Sequence, residues 1–374
     1  MTTTIGYVTA CTGKPKEGYG LWDEVREIEN YQDNVDYMVI NPQNIFFEGN
    51  EFRYKEKKKG DSFPLDKNSN PSRWKWLPAS EKDEVDLFDK FSEVDHLRIR
   101  GFRSKKSESQ AYVTKLALSE MDIGKTNGLD AIDYCNNKIR SIIDISTSDV
   151  TIDGKEVNEL IPNTRTFGLK DTSDGEKDEV CDYVMNRLRG AHKPQVLKAF
   201  NGRGGDDMLP INLGSDYRFQ IEKHWDQNDF LVQDKIENGL SLRVEIVGPG
   251  CSEDEIYGSY TRRPKDGDFR AQNNKVKEHR ELNDFEKNVS LWIHQKSGSR
   301  VSAIDYLVDE EDKKDLYFLE INGENPGWKN LKKVYGCDEF LPPGADDGFV
   351  DKIQDTGLAS YIIDDIKNRE ETDM

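Results

Sequence analysis

A lysine inside an apolar strand, followed at once by a glycine-rich turn, is an arrangement that can hold a polyphosphate. Lys198 lies in V-L-K-A-F at 196–200, and N-G-R-G-G follows at 201–205. The ammonium can then meet phosphate charge while the unobstructed backbone N–H groups around Gly202, Gly204 and Gly205 approach the oxygens. The turn is not a Walker loop, because no G-K-[ST] ends it, and not a dinucleotide fingerprint, because no G-x-G-x-x-G opens a helix there. A lysine snorkelling from a strand edge beside a flexible turn is the plain alternative.

Two further clusters carry chemistry. A-I-D-Y-L-V-D at 303–309 and L-Y-F-L-E-I-N-G at 316–323 are apolar strands joined by the acidic turn Glu310 to Asp315, which predicts a hairpin. Alternation puts Glu320 and Asn322 on one face, and antiparallel pairing brings Asp305 beside them. Three hard oxygen donors among Ile, Leu and Phe are costly to bury unless a cation compensates them, and magnesium shared with nucleotide phosphates fits. A half-exposed hairpin with its polar residues in water is the alternative. The third cluster, T-R-R-P-K-D-G-D-F-R at 261–270, holds Arg262, Arg263 and Arg270. Guanidinium groups suit planar oxyanions such as a phosphoryl group or a carboxylate, and a solvated basic loop is the competing possibility.

Elements of both periods must position these residues. Thr4–Thr9 reads as a strand, Cys11–Gly20 as a glycine-bearing loop and Leu21–Tyr31 as a helix. A strand at Tyr37–Asn41 precedes a hairpin over Phe46–Tyr54, with Glu48, Gly49 and Asn50 as turn chemistry. Lys55–Pro78 is a polar excursion whose Trp74 and Trp76 pack it down or stack on a ligand. Val94–Arg100 resumes as a strand and Ser107–Met121 as a helix. A helix over Ala131–Ile145, a Gly-Lys turn at 154 and 155, and a charged loop at 173–179 feeding a helix to Arg189 follow. Beyond the strand at 196–200, strands are expected at 230–235, 242–247, 256–262, 302–308 and 316–321, then an amphipathic helix over about 349–368. The expected class is α/β with strand-rich later parts, divided into an N-terminal α/β domain at 1–130, a central subdomain at 131–229 and a C-terminal subdomain at 230–374 that carries the metal hairpin and terminal helix.

Composition narrows the partners. At 374 residues the chain exceeds one ordinary core. With 72 acidic against 53 basic residues and a net charge of -19, it repels nucleic-acid backbones and anionic lipid heads, so neither is an expected partner. Local basic clusters can still focus a positive field on an anionic substrate. Five cysteines, at 11, 135, 181, 251 and 337, show no C-x-x-C pair and read as reduced thiols. The start M-T-T-T-I-G-Y-V-T lacks the basic and apolar regions of a signal peptide, and no run of about 18 apolar residues occurs, so a cytoplasmic location is expected. Self-association into a homo-oligomer stays open.

Taken in order, these motifs resemble the ATP-grasp superfamily, most closely the RimK-type carboxylate-amine ligases, over roughly residues 130 to 330. The resemblance rests on V-L-K-A-F-N-G-R-G-G for the strand lysine and glycine loop, L-V-Q-D-K-I at 231–236 for the hinge strand, S-L-R at 241–243, R-R-P-K-D-G-D-F-R at 262–270, and Asp305 with L-E-I-N at 319–322 for the metal strands. It implies an ATP-grasp fold whose two subdomains clasp ATP and Mg2+, with Mn2+ as an alternative ion. It further implies that Lys198, with Lys138 of N-N-K as the earlier family lysine, holds the α and β phosphates, and that Gln233, Asp234 and Ile236 line adenine. By the same resemblance Arg243 belongs to the nucleotide site, Asp305, Glu320 and Asn322 carry the metal, and Arg263 and Arg270 stabilise the γ-phosphoryl group and the tetrahedral adduct. The implied activity is activation of a carboxylate as an acyl phosphate and its capture by an amine, with small-molecule or peptide substrates. The alternatives are a peptide-modifying ligase that forms ester or amide crosslinks on a precursor peptide, and a nucleotide-binding regulatory protein that keeps the clamp without turnover.

This chain departs from the family pattern at named positions. Asp234 stands for the hinge glutamate, Ser241 for the acid before Arg243, and Gln272 for the asparagine that follows D-F-R, which leaves Asn273 or Asn274 to substitute. N-G-E-N-P-G-W is one residue longer than the common N-x-x-P-G. The first domain and the stretch after 330 match no family motif, and substrate choice is expected to reside there.

Overall fold

The computed structural model describes residues 3–8, 28, 34–40, 42–55, 84–92, 94–99, 108–167, 178, 181–182, 184–186, 194–199, 208–211, 230–236, 239–264, 274–309, 315–323, 361–364 and 366–367. Strands β1 (Thr3–Val8) and β2 (Val35–Ile40) pair in parallel, register Ile5 to Tyr37. The hairpin of β3 (Ile45–Glu48) and β4 (Glu51–Lys55) turns at Gly49, whose φ of 65° lies in the left-handed region that glycine tolerates. β5 (Glu84–Asp86) adds to β4 and runs into the short helix α1 (Leu87–Phe91). β6 (His96–Ile99), helix α2 (Glu108–Ser119) and β7 (Gly124–Lys125) complete a four-stranded parallel sheet of order β2-β1-β6-β7. Alternation sends Val8, Met38, Ile40, Leu97 and Ile99 into one core with Leu118 of α2. The excursion with Trp74 and Trp76, and nearly all of the loop and helix expected over 11–31, lie outside the described residues; Ile28 is helical and buried.

The single helix expected over 131–145 is two. α3 (Leu129–Asn136) stops at Asn137, whose side chain accepts from the Arg140 backbone N–H and starts α4 (Lys138–Ser146). An asparagine that caps the next helix breaks a stretch whose apolar spacing reads as continuous. β8 (Thr151–Ile152) and β9 (Lys155–Glu156) form the small hairpin expected at Gly154, with Asp153 and Gly154 both at positive φ. β10 (Thr164–Phe167), β11 (Gln195–Ala199), β12 (Met208–Ile211) and β13 (Phe230–Asp234) make an antiparallel sheet of order β10-β13-β11-β12. The glycine cluster at 201–205 lies outside the described residues; of the helix expected before Arg189, residues 181–182 and 184–186 are described and helical.

The largest sheet, order β16-β15-β14-β17-β18, is antiparallel throughout: β14 (Gly239–Val247), β15 (Ile256–Pro264), β16 (Asn274–His279), β17 (Val301–Asp309) and β18 (Leu316–Asn322). Its apolar face is the main core, where Leu242, Val244, Ile304, Tyr306 and Phe318 meet α4 and helix α5 (Asp284–Ser297). Sequence reasoning missed α5. The signal was local: Asn283 and Glu286 form a capping box, and Gly298 closes the helix at φ 69°. The helix buries Ser290 and His294 beside its aliphatic residues, each paired: Ser290 with Tyr306 at 2.9 Å, His294 with Ser302 at 2.7 Å and the Gly248 carbonyl at 2.8 Å. Of the expected terminal helix, residues 361–364 and 366–367 are helical, with Ile362, Ile363 and Ile366 buried.

Asn127, fully buried just before α3, ties the first part of the chain to this sheet. Its amide donates to the carbonyls of Val301 and Gly323 at 2.8 and 2.7 Å and accepts from the N–H groups of Arg300 and Val301 at 2.8 and 2.9 Å. All four hydrogen-bonding positions of the amide are filled. Asn127→Ala orphans four backbone groups and should lower stability by about 3 kcal/mol or more in urea unfolding, whereas Asn288→Ala, which removes an exposed contact with Asp153, should change it by under about 0.5 kcal/mol.

Candidate active site

The polar face of the large sheet is organised in rows that run across the strands. One row reads Tyr260, Arg243, Asp305, Glu320 from β15 to β18; the next reads Gly258, Glu245, Ala303, Asn322; and on the other side stand Arg262, Ser241, Leu307 and Tyr317. S-L-R-V-E-I-V explains the face: Ser241, Arg243 and Glu245 alternate with Leu242, Val244 and Ile246, which enter the core. Regular alternation along β18 would put Phe318 on the same face as Glu320. A register shift between Asp305 and Tyr306 pairs Tyr306 with Phe318 instead, so Phe318 stays in the core while Glu320 and Asn322 keep to the polar face.

Asp305 is nearly buried and both its oxygens are engaged. Arg243 donates through a terminal nitrogen to Oδ2 at 2.8 Å, and Arg262 pairs with Oδ1. Arg243 also donates from Nε to Glu245 Oε1 at 2.8 Å. Burial works against the Arg243 charge, but Asp305 and Glu245 outweigh it and hold the guanidinium protonated well beyond its ordinary range. Burial pushes the Glu245 carboxyl up to about 7 against the pull of Arg243, and the Tyr260 phenol up to about 12.

Lys138, the first residue of α4, reaches Glu320 Oε2 at 2.8 Å. Burial raises the Glu320 carboxyl, but the Lys138 ammonium and the Asn322 amide prevail and hold it below its ordinary value. Asn322 Nδ2 lies 3.1 Å from Asp305 Oδ2 and 3.4 Å from Glu320 Oε1. A half-turn about χ2 presents the amide oxygen instead. No third His, Cys, Asp or Glu joins the two carboxylates among the described residues. Two carboxylates and an amide oxygen on adjacent strands are a donor set that suits a hard divalent cation completing its shell with phosphate and water.

On the central sheet, Lys198 donates from Nζ to Gln233 Oε1 at 2.6 Å, across the β11–β13 pair. Gln233 in turn donates to Thr164 Oγ1 at 2.8 Å, and Gln195 donates to Asp234 Oδ1 at 2.5 Å. Ile236 lies against Gly239 where the chain passes from one sheet to the other. Desolvation, then the nearby Lys138 charge, lower Lys198 to about 8, with Glu320 opposing. The two lysines and Glu320 therefore sense one another across the two sheets.

The family model of the RimK-like ATP-grasp domain matches residues 171–339. It is this segment, under half of the chain, that is similar to the family. No curated protein matches the chain. Among solved structures it is similar to D-alanine–D-alanine ligase from Bacillus anthracis complexed with ATP, at 14% identity and TM-score 0.53 over 100% of both chains. It is also similar to the macrocyclase MdnC bound with precursor peptide MdnA from Microcystis aeruginosa MRC, at 14% identity and TM-score 0.51 over 97% of this chain and 100% of that one. The ATP-grasp ligase PsnB complexed with minimal precursor matches at 12% identity and TM-score 0.52 over 89% and 93%. Likeness at this identity establishes the α/β ATP-grasp fold.

The ATP-grasp frame brings together Lys138, Arg243, Asp305, Glu320 and Asn322 on one face, and Lys198, Gln233 and Asp234 on the facing sheet. Gly202, Gly204, Gly205 and Arg270 lie outside the described residues, and Arg263 holds the β15 position opposite Val276. Sequence reasoning gave no role to Arg262 on Asp305, Glu245 on Arg243, or Thr164 on Gln233. The first two were legible as alternation from Arg243 and from the cross-strand row. Thr164 was not, since it lies 69 residues from Gln233.

The low Lys198 value has a sign. Between about 8 and its ordinary 10.5 the unfolded chain binds the proton and the folded chain does not, so this group makes stability rise with pH across that window, and below it the buried ammonium costs stability. Lys198→Met should leave the ligand-free melting temperature at pH 7 equal or higher, remove that rise above pH 8, and weaken ATP binding in calorimetry at least about tenfold. ATP affinity equal to wild type would detach Lys198 from the phosphates.

Proposed function

We propose that this chain is an ATP-dependent ligase that activates a carboxylate as an acyl phosphate and joins it to an amine, releasing ADP and phosphate. The observation that carries the proposal is a cluster of cations. Among the described residues, Arg243, Arg262, Lys138 and Lys198 gather around Asp305, Glu320 and Glu245. Such a surface is built for a polyanion that takes over part of the ion pairing.

In this proposal Lys138 and Lys198 hold the α and β phosphates, the turn with Gly202, Gly204 and Gly205 covers them, and Gln233, Asp234 and Ile236 line the base. Asp305, Glu320 and Asn322 would hold Mg2+, which when bound neutralises phosphate charge. Arg243 orients Asp305, and Arg263 and Arg270 are assigned to stabilising the charge that develops on the transferred phosphoryl group, where fixed cations help most. The carboxylate attacks the γ-phosphorus, the bond to the β-phosphate oxygen breaks, and the acyl phosphate is then open to the amine. The proposed units are 1–130, 131–229 and 230–374, with the acceptor entering from the first and the enzyme working in the cytoplasm. No helix among the described residues is long and apolar enough to cross a membrane.

A peptide substrate is the second reading, supported by the likeness to MdnC and PsnB, whose structures hold precursor peptides. Co-purification of a precursor peptide with the enzyme, against turnover of free amino acids, separates it from the first.

The test is the spent nucleotide. With ATP, Mg2+ and pooled amino acids as donors, hydroxylamine should yield hydroxamates and ADP, and Arg263→Ala should slow this trapping as well as full ligation, by about 100-fold. AMP with pyrophosphate would mean adenylation and end the acyl-phosphate reading. Glu320→Gln should raise the magnesium requirement about tenfold or abolish turnover; an unchanged magnesium titration would remove Glu320 from the metal site.

A further inference from the structure

Glu245 has no part in the scheme above beyond its bond to Arg243. It is wholly buried, Oε1 accepts the Arg243 Nε–H, and Oε2 has no hydrogen-bond partner. Two donors near it are buried in the same condition: the Tyr260 hydroxyl, in the Arg243 row, and Arg262 Nε on the same strand. Three unpartnered polar atoms in three successive rows of one sheet face are an uncommon expense for a purely structural cluster. The directly opposite cross-strand neighbours of Glu245 are the small residues Gly258 and Ala303, and Asn322 follows in the same row. One row is about 7 Å along the strands. Glu245 therefore stands one row from the proposed phosphoryl-transfer row, on the Asn322 side.

We propose that Glu245 receives the ammonium group of the acceptor on Oε2 and takes its proton, which makes it the base for amine attack; this rests on the ligase function proposed above. The step balances. The ammonium gives one proton to Glu245, its nitrogen forms the C–N bond to the acyl carbon, the bond from that carbon to the phosphate oxygen breaks, and a second N–H proton leaves with the phosphate. The groups that face Glu245 are Arg243 on its own strand, Arg262 and Tyr260 on β15 and Asp305 on β17. Burial, opposed by Arg243, sets its carboxyl at about 7, where it can pass between the two protonation states at neutral pH. The acceptor class that fits is a primary amine carrying an oxygen within reach of the Tyr260 hydroxyl and Arg262 Nε, as in an amino acid or a peptide N-terminus. A hydroxyl or thiol acceptor brings no cation to Oε2.

Glu245→Gln keeps an oxygen for Arg243 Nε and removes the charge and the base. Methylammonium chloride should raise the wild-type melting temperature above that in tetramethylammonium chloride at the same concentration, since only the former has N–H donors, and the difference should vanish in Glu245→Gln. An equal difference in the variant overturns the proposal, whatever the protein catalyses. In turnover with ATP, Mg2+ and the twenty amino acids as carboxylates, methylamine must be deprotonated, whereas hydroxylamine is largely uncharged at neutral pH. Glu245→Gln should lower methylamide formation about 100-fold at pH 7, with recovery at high pH, while hydroxamate stays within about threefold. Parallel loss of both products would make Glu245 only the counter-ion of Arg243 and overturn its role as base. Absence of any hydroxamate from wild type would count against the ligase function instead, and the methylammonium comparison would still decide the amine site.

Discussion

Asp305 on β17 is bonded on one oxygen by Arg243 of the neighbouring β14 and on the other by Arg262 of β15, across a sheet whose opposite face is the hydrophobic core. Charges this enclosed are expensive to desolvate, and the expense is offset only while the geometry of every partner is kept; removing one member of a buried pair typically costs about 3–5 kcal/mol. The pairing therefore fixes more than itself. β15, β14 and β17 must stay in the register that sets Tyr260, Arg243 and Asp305 side by side, because a slip of one residue would turn Arg243 into the core and Val244 toward the ligand face. The register shift in β18 answers the same demand, keeping Phe318 inside while Glu320 completes the row.

Support for this row comes from segments far apart in the chain. α4 begins with Lys138 because Asn137 caps it, and the cap brings the ammonium to Glu320. Asn127 binds the chain just before α3 to the start of β17 and to Gly323 just after β18, so the helices that deliver Lys138 and the strands that carry the carboxylates move as one piece. Lys198 and Gln233 stand on a separate antiparallel sheet. The site is thus assembled from two sheets whose link, at Ile236 and Gly239, is a short stretch of chain.

The residues legible in the sequence were those whose relationship is local. Alternation within L-E-I-N placed Glu320 and Asn322 together, and the short connection between two apolar runs placed Asp305 opposite them. The same rule, carried down β18, would have misplaced Phe318, because a bulge changes parity without leaving a mark in composition. The break at Asn137 and the helix α5 were written locally, as caps, but hidden by an apolar spacing that reads as continuous in one case and by buried Ser290 and His294 in the other. Contacts such as Gln233 with Thr164 depend on which strands become neighbours, which no local pattern fixes.

The charge balance of the floor gives these geometric constraints a functional direction. The chain as a whole is strongly acidic, at -19, yet among the described residues Arg243, Arg262, Lys138 and Lys198 outnumber Asp305, Glu320 and Glu245, and two of the participants, Lys198 near 8 and Glu245 near 7, titrate close to neutral pH. A bare divalent cation meets carboxylates already engaged by guanidinium and ammonium groups, and has to compete with them. A polyphosphate changes that competition, since it offers Arg262 and Lys138 a second partner and so loosens their hold on Asp305 and Glu320. Anything that draws those cations away favours the metal, and by linkage the metal favours whatever drew them. In the proposed ligase, binding of the nucleotide and binding of the ion are for this reason two sides of one exchange of partners at Asp305 and Glu320.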